Sequence, residues 1–171
     1  MINFDDYIIN IPDFPKTGVI FRDITPLLAN PKAYSYAIDM WSEKLAGFGA
    51  TKIVAAESRG FFFAPAMAIK LGLPFVPVRK KGKLPRKTIS VEFDLEYGTD
   101  MLFMHEGDVS SQDKVIVMDD ILATGGTADG MCRLVELSGA KVACCTFFME
   151  LVDLKGREKL SVRDVVSIIK K

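Results

Sequence analysis

The sequence lacks the features of membrane and exported proteins. No run approaches the roughly 20 apolar residues that span a bilayer, and the first ten residues, MINFDDYIIN, have neither the cationic region nor the continuous apolar stretch of a secretory signal. The three cysteines show no CxxC spacing, which argues against a zinc site or a disulfide framework. We therefore expect a soluble, cytoplasmic protein with reduced thiols and no membrane partner.

An excess of charge of one sign is also missing. Lys and Arg together number 22, as do Asp and Glu, so the formal net charge is zero. Because duplex DNA and RNA require a broad basic face, nucleic acid is not expected as a main partner. There is no GxGxxG sequence, and no Gly-Lys-Ser/Thr follows the glycine pair at Gly125, which argues against dinucleotide-binding and kinase-type phosphate loops.

The apolar residues that are present predict one α/β domain. The chain has 171 residues, of which 49% are hydrophobic, and it shows no repeat or linker, so residues 1–171 are expected to share one core. From about residue 30 onward, helical and strand periodicities alternate, which is typical of a mostly parallel central sheet flanked by helices. Helices are predicted over 32–46, 61–71 and 127–138, and strands over 53–56, 75–78, 101–104, 115–118, 142–148 and 165–169.

Two segments fall outside this alternation. Residues 1–30 combine prolines and a glycine with aromatic residues, which predicts an irregular N-terminal hood rather than a sheet strand. Residues 79–99 begin with a cationic run and end in an acidic stretch. A polar insertion of this length inside a compact domain is typical of a functional lid, so a flexible lid loop is expected there.

The most informative segment runs from residue 115 to residue 127. A buried strand is followed by Asp119 and Asp120 and then by a turn of small residues that opens a helix. Ligands of open parallel sheets bind beyond the carboxyl ends of the strands, so both carboxylates are expected in a cleft. The turn can cradle a phosphate through the backbone N–H groups at Gly125 and Gly126, the hydroxyls of Thr124 and Thr127, and the positive end of the helix.

The paired aspartates strengthen this interpretation against an ordinary strand-to-helix loop. Adjacent carboxylates at a buried strand end repel each other unless hydroxyls, arginines or a cation compensate them. A sugar diol with magnesium nearby would supply that compensation.

These residues resemble the phosphoribosyl pyrophosphate motif of the type I phosphoribosyltransferases. The similarity covers nearly the whole chain and is greatest to the members of that family that act on adenine. It rests on the segments FPKTGVIFRDITPLL, AAESRGFFFAPAMA, VRKKGKLPRKT, LEYG, VIVMDDILATGGT and ELVDLKGREKL. The resemblance implies the type I fold, a requirement for Mg²⁺, and a reaction of adenine with phosphoribosyl pyrophosphate that yields AMP and pyrophosphate. It also implies that the turn from Ala123 to Thr127 holds the 5′-phosphate.

A second loop ends the strand at residues 53–56. By the same geometry, its amides and the Arg59 guanidinium are expected to face an anion, although Arg59 could instead cap its own loop. The resemblance makes this the pyrophosphate loop, formed by Glu57, Ser58, Arg59 and Gly60, and predicts a cis peptide between Glu57 and Ser58. Glu57 stands where aspartate can occur in the family, and Met118 where valine is frequent.

The cationic run after residue 78 would by composition alone be a solvated surface. The resemblance assigns Arg79, Lys80 and Lys83 to the departing pyrophosphate, whose charge they would stabilise while the lid excludes water. Glu96 and Tyr97 belong to the far end of the same lid. Glu96 is the candidate acid/base residue for the purine proton, with Glu92, Asp94 and Glu106 as competitors; no partner is evident for the single histidine, His105.

The resemblance also places Ile20, Phe21, Arg22 and Ile121 in the purine pocket. Ile20 would offer its backbone, and Phe21 and Ile121 would enclose the ring. In the mechanism that the family implies, pyrophosphate departs from an oxocarbenium-like ribose held by Asp119 and Asp120, directly or through the magnesium shell, and the base nitrogen attacks it. A homodimer with Arg22 near the partner subunit is expected.

Two other functions remain open from the sequence. One is a regulator that binds phosphoribosyl pyrophosphate without catalysis, although the chain has neither spare length nor the basic face of a nucleic-acid-binding protein. The other is the same chemistry on hypoxanthine, guanine or xanthine.

Overall fold

The computed structural model describes residues 2–94 and 99–171. Within these residues the chain forms nine β-strands and five α-helices. The strands are β1 (Ile9–Pro12), β2 (Ile20–Asp23), β3 (Lys52–Ala56), β4 (Phe75–Val78), β5 (Thr88–Asp94), β6 (Thr99–His105), β7 (Lys114–Leu122), β8 (Lys141–Glu150) and β9 (Val165–Lys170). The helices are α1 (Thr25–Ala29), α2 (Pro31–Leu45), α3 (Ala64–Leu71), α4 (Gly126–Leu137) and α5 (Gly156–Lys159).

A five-stranded, fully parallel sheet forms the centre, in the order β4-β3-β7-β8-β9. Its strands are rich in β-branched and apolar residues because both faces are covered. Val54, Val117 and Phe147 pack on one face with α4, whereas Ile53, Ile116 and Phe148 pack on the other with α1, α2 and α3. The predicted α/β architecture is confirmed, since strand residues alternate between two helix-covered faces.

The helices begin and end where their sequences direct. In α2, the Asn30 side chain accepts a hydrogen bond from the Ala33 amide at 3.0 Å, and Pro31 occupies the first turn, where its missing N–H costs nothing. Trp41 is fully buried and donates to Thr146 Oγ1 at 2.5 Å, so it belongs to the core. The helix predicted over 61–71 instead comprises a 3₁₀ turn over Arg59–Phe62 and then α3, because Pro65 is accepted only in the first α-helical turn.

The hood and the lid contain more regular structure than the sequence predicted. Within residues 1–30, β1 and β2 pair as an antiparallel hairpin, so the prediction of an irregular segment without a strand was wrong. Within residues 79–99, β5 pairs antiparallel with β6, so this stretch is not one loop and the strand near 101–104 does not join the central sheet. Cross-strand pairing satisfies the backbone in both hairpins, and their β-branched and aromatic residues favour it.

The hairpin of β5 and β6 is fixed on α4. A Cβ at Gly130 would lie 3.0 Å from the Phe93 side chain and 3.1 Å from Leu102, so a glycine allows both side chains to approach the helix. In the described ranges, no helix is long and apolar enough to cross a bilayer.

Candidate active site

The cleft opens where two central strands separate. β3 pairs with β7 only as far as Met118, opposite Ala55, whereas β8 accompanies β7 to Leu122. From Asp119 onward, β7 therefore has a neighbouring strand on one side only. The loop that follows β3 and the turn that follows β7 both border this opening, as expected for ligand sites at the carboxyl ends of parallel strands.

Asp119 and Asp120 lie at this opening inside the last part of β7. Asp119 Oδ1 accepts a hydrogen bond from the Asp120 amide at 2.9 Å, and Asp120 is 4% exposed. Burial, followed by the neighbouring Asp120 charge, raises the pKa of Asp119 well above its ordinary value. The pKa of Asp120 is also raised by burial, but Arg59 opposes that rise. The site therefore concentrates negative charge that a cationic ligand would stabilise.

The turn after β7 encloses a cavity of about 140 Å³, lined by Asp119, Ile121 and residues 122–128. Gly125 has a φ of 82°, a left-handed conformation that glycine adopts without strain, and it precedes the first turn of α4. The N–H groups of a first helical turn have no acceptor within the helix, so they are available to an anion. The turn predicted from Ala123 to Thr127 thus has the form of a phosphate cradle next to the carboxylates.

The loop after β3 touches the carboxylates directly. A Cβ at Gly60 would lie 2.9 Å from Asp119 Oδ1 and 3.4 Å from the Ala55 side chain, so only glycine permits this approach without a shift. The Glu57–Ser58 peptide is cis, which confirms that prediction. The two candidate anion loops therefore both border Asp119.

The Glu57 side chain points to cations rather than to an anion site. Its carboxylate accepts hydrogen bonds from Arg79 Nη2 at 3.0 Å and from the Lys80 amide at 2.6 Å. Burial opposes the ionised form, but these two bonds and the charges of Arg79 and Lys83 outweigh it and lower the pKa of Glu57. The resemblance placed Glu57 in the pyrophosphate site; in the structure its side chain holds the Arg79 guanidinium and the Lys80 backbone amide.

Arg59 connects the hood with the carboxylates. Its Nη2 lies 2.5 Å from Asp120 Oδ2 and donates to the Arg22 carbonyl at 3.2 Å, and its guanidinium lies 4.9 Å from the centre of the Phe21 ring. The alternative in which Arg59 caps only its own loop is not what the structure shows. The Arg59 guanidinium therefore contacts both the Phe21 ring and Asp120.

The lid cations lie around the end of β4. Arg79 forms a backbone bridge with Phe103 of β6 and pairs with Glu57, while Lys80 forms an ion pair with Asp100 at 3.1 Å. Lys83 is exposed, and its amide donates to the Lys80 carbonyl at 3.2 Å in a turn. Glu96 and Tyr97, assigned to the same lid, lie outside the described residues.

The structure divides the predicted base-binding residues between two faces of the hood hairpin. Phe21 lines an apolar cavity of about 340 Å³ with Arg59, whereas Ile20 and Arg22 line one of about 370 Å³ on the opposite face. Adjacent strand residues point to opposite faces, so one cavity cannot receive all three side chains. Ile121 lies beside the phosphate cradle.

Two features escaped the reasoning from sequence. His105 does have partners, because its Nδ1 lies 2.9 Å from Arg86 Nη2 and 3.4 Å from Asp108 Oδ2, and its Nε2 accepts from the Arg86 amide. Gly156 packs against the phosphate cradle from a segment about 30 positions later. Both depend on long-range contacts that no local spacing reveals.

Comparison with known proteins agrees with this geometry. Residues 24–170 match the family described as phosphoribosyl transferase domain, and fold and site together define a protein of that class. The chain is 54% identical over 168 residues to an adenine phosphoribosyltransferase of Maridesulfovibrio salexigens, covering 98% of this chain and 99% of that one. It belongs to the adenine phosphoribosyltransferase family.

Solved structures give the same result. The crystal structure of adenine phosphoribosyltransferase from Thermoanaerobacter pseudethanolicus has a TM-score of 0.96 and 47% identity, covering 98% of each chain. The enzyme of Saccharomyces cerevisiae, solved with adenine and an imino-altritol bisphosphate, has a TM-score of 0.90 and 37% identity, covering 96% of each chain.

Proposed function

We propose that this protein transfers the phosphoribosyl group of phosphoribosyl pyrophosphate to adenine, forming AMP and pyrophosphate. The observation that carries the proposal is that Asp119, next to the buried Asp120, lines the cavity of a glycine-rich phosphate cradle at the end of β7. A ribose 5-phosphate placed with its phosphate in the cradle brings its hydroxyls to Asp119 and Asp120. The family relationship favours adenine over the other purines and over a regulator without catalysis.

The carboxylates also suit the ribose in the transition state. As the bond to pyrophosphate lengthens, positive charge develops on the ribose, and preorganised negative groups stabilise it more than they stabilise the neutral ground state. The pKa of Asp119 is raised first by burial and then by the neighbouring Asp120 charge, so the protein alone does not fully compensate negative charge at this position.

Magnesium fits the donor set as an ion bound chiefly through the substrate. In the part of the chain that the structure describes, no three His, Cys, Asp or Glu side chains come together as a metal site. Mg²⁺ often takes one or two carboxylates and completes its shell with water and substrate oxygens, and Asp119 and Asp120 offer those two. When bound, the ion would neutralise charge on the leaving pyrophosphate.

The pyrophosphate would lie between the Glu57–Gly60 loop and the cations after β4. Arg79 and Lys80 face that loop because Glu57 holds the Arg79 guanidinium and the Lys80 amide. Lys80 would exchange its ion pair with Asp100 for the substrate. Cations held in advance stabilise the developing charge without having to reorganise during the reaction.

Replacing Glu57 by Gln tests this arrangement. The side chain keeps its shape but loses the charge that orients Arg79, so the KM for phosphoribosyl pyrophosphate is expected to rise about tenfold, the order of one charge-assisted hydrogen bond. The KM for adenine should stay the same. Steady-state kinetics checks both values, with Glu106→Gln as control, because Glu106 pairs with Lys87 at the surface. An unchanged KM for phosphoribosyl pyrophosphate would contradict the role.

The base would lie between the hood and the cradle. Phe21 and Asp120 both contact Arg59, so a purine packed beside Phe21 would be close to a ribose held at Asp120. Ile20 is paired with Pro12, and proline has no N–H, so Pro12 donates no hydrogen bond to the Ile20 carbonyl. That carbonyl can accept from the amino group of adenine, whereas it would repel the oxo group of hypoxanthine or guanine.

An assay with each purine separates the candidate functions. With Mg²⁺ and phosphoribosyl pyrophosphate, adenine should be consumed and AMP formed, and chelation of the metal should stop the reaction. Hypoxanthine, guanine and xanthine should give no nucleotide. Binding of phosphoribosyl pyrophosphate without turnover of any purine would instead indicate a regulator.

We also propose that the hood forms part of a homodimer interface. Ile9 and Phe14 of the hood are each more than half exposed, and Ile11 and Phe62 line an apolar cavity together with Phe14. Exposed apolar patches of this kind mark protein contacts. Sedimentation equilibrium should give the mass of a dimer; a monomer would remove the proposal.

That the enzyme works in the cytoplasm stays a prediction, which cell fractionation would test.

A further inference from the structure

The segment that follows β8 contacts the outer side of the phosphate cradle. It contains Gly156, in the stretch ELVDLKGREKL, to which no role has so far been given. The cradle's cavity is lined by Asp119 and residues 121–128, so Gly156 stands outside that lining. The Leu151 amide donates to the Leu122 carbonyl at 2.9 Å, which joins the start of the segment to the end of β7.

The contact between the two backbones leaves no space for a side chain. A Cβ at Gly156 would lie 2.1 Å from the Ala123 carbonyl oxygen and 3.0 Å from the Gly125 nitrogen. A Cβ at Gly125 would lie 2.6 Å from the Gly156 carbonyl oxygen. These distances are far below van der Waals contact and involve backbone atoms, which cannot rotate away as a side chain can. The cradle can therefore keep its conformation only while residue 156 is glycine.

The neighbouring Arg157 holds Gly156 in place. Its Nε and Nη2 donate to the two Glu150 carboxylate oxygens at 2.8 and 2.6 Å, and its Nη1 donates to the Val165 carbonyl at 2.9 Å. The hydrogen bonds from Arg157, and then that from Ser167, lower the pKa of Glu150 to about 2 against the opposing effect of burial. A bidentate pair of this kind is rigid, so it ties the segment to β8 and β9.

We propose that Gly156 is a positioning residue for the 5′-phosphate: its backbone, fixed by Arg157, sets the conformation of Ala123–Gly125 and so aims the amides of the cradle. This inference rests on the proposed function, which assigns the 5′-phosphate to that cradle. Gly156 touches no substrate and acts only through the loop. The pyrophosphate site, built on β3 and β4, is independent of it.

The test compares two ligands that report on different halves of the substrate. In Gly156→Ala, the Kd for ribose 5-phosphate, measured by titration calorimetry, should rise about 10²-fold, the order expected for a misplacement near 1 Å. The Kd for inorganic pyrophosphate should not change. Gly47→Ala is the matched control, because a Cβ there has nothing within 4 Å and both constants should remain those of the wild type.

Each outcome distinguishes this inference from the function it rests on. An unchanged Kd for ribose 5-phosphate, or equal losses for both ligands, would overturn the positioning role. If circular dichroism shows that Gly156→Ala does not fold, Arg157→Lys decides, because lysine cannot form the bidentate pair; a selective loss of ribose 5-phosphate binding supports the role, and wild-type affinity overturns it. Turnover of adenine by the wild type tests the proposed function separately.

Discussion

Replacing Asp119 by Asn is expected to lower kcat by about 10²–10³-fold, the usual loss when one preorganised electrostatic group is removed. Asparagine keeps the shape and the Oδ1 that accepts the Asp120 amide. It removes the negative charge beside the ribose, and so it affects the transition state more than the ground state. The KM for phosphoribosyl pyrophosphate should change less than kcat.

The same substitution is expected to stabilise the fold. A carboxyl whose pKa is raised on folding, as burial and Asp120 raise that of Asp119, favours unfolding at any pH above its ordinary pKa of 3.8. The variant should therefore have a higher Tm than the wild type at neutral pH. This advantage should disappear as the pH falls toward 3.8, where the carboxyl is protonated in both the folded and the unfolded states.

Opposite changes in activity and stability make the test specific. Asp39→Asn is the control, since Asp39 forms an exposed pair with Lys70 on the surface and its loss should leave kcat unchanged. Thermal unfolding at several pH values and steady-state kinetics on the same samples supply the data. Wild-type turnover in Asp119→Asn would show that the charge of Asp119 does not act in catalysis, and a fall in both kcat and Tm would show that this charge is structural.

Replacing Glu96 by Gln is expected to lower kcat by about 10²–10⁴-fold, the range that general acid/base catalysis contributes. The affinity for AMP should change little, because glutamine retains hydrogen-bonding capacity but cannot take up or give the proton of the purine. A single-turnover experiment measures the chemical step, and a binding titration measures the affinity.

The described parts of the β5–β6 hairpin pack against α4. The Glu92 carbonyl accepts a hydrogen bond from the Arg133 guanidinium of α4. The Phe93 side chain packs on Gly130, which precedes Arg133 by nearly one turn of the same helix. Asp94 and Thr99 end and begin the two strands on either side of the segment that contains Glu96.

Matched variants at the competing acids complete the experiment. Glu92→Gln should keep wild-type turnover, since Glu92 is exposed within β5, and so should Glu106→Gln. If the Glu96→Gln enzyme turns over at the wild-type rate, another acid handles the proton. A large loss in Glu92→Gln instead would name that acid.

Sequence predicted the central strands closely because their pattern is local. Buried parallel strands need short runs of β-branched and apolar residues, and the strand over Phe75–Val78 was predicted with its observed bounds. The hood and the lid were predicted less well, since their hairpins form through cross-strand partners. Proline and polar residues in those segments indicate loops by local propensity, and pairing overrides that propensity.

By itself the sequence determined the α/β alternation, the family, and the placing of Asp119, Asp120 and the glycine turn in one cleft. These follow from patterns within a dozen residues and from the rule that parallel strands deliver their carboxyl ends to one edge. Only the tertiary structure decided that Glu57 faces cations, that Arg59 joins Phe21 to Asp120, and that Gly156 supports the cradle. Side-chain direction and contact between distant segments depend on how the elements pack, and no local spacing contains that information.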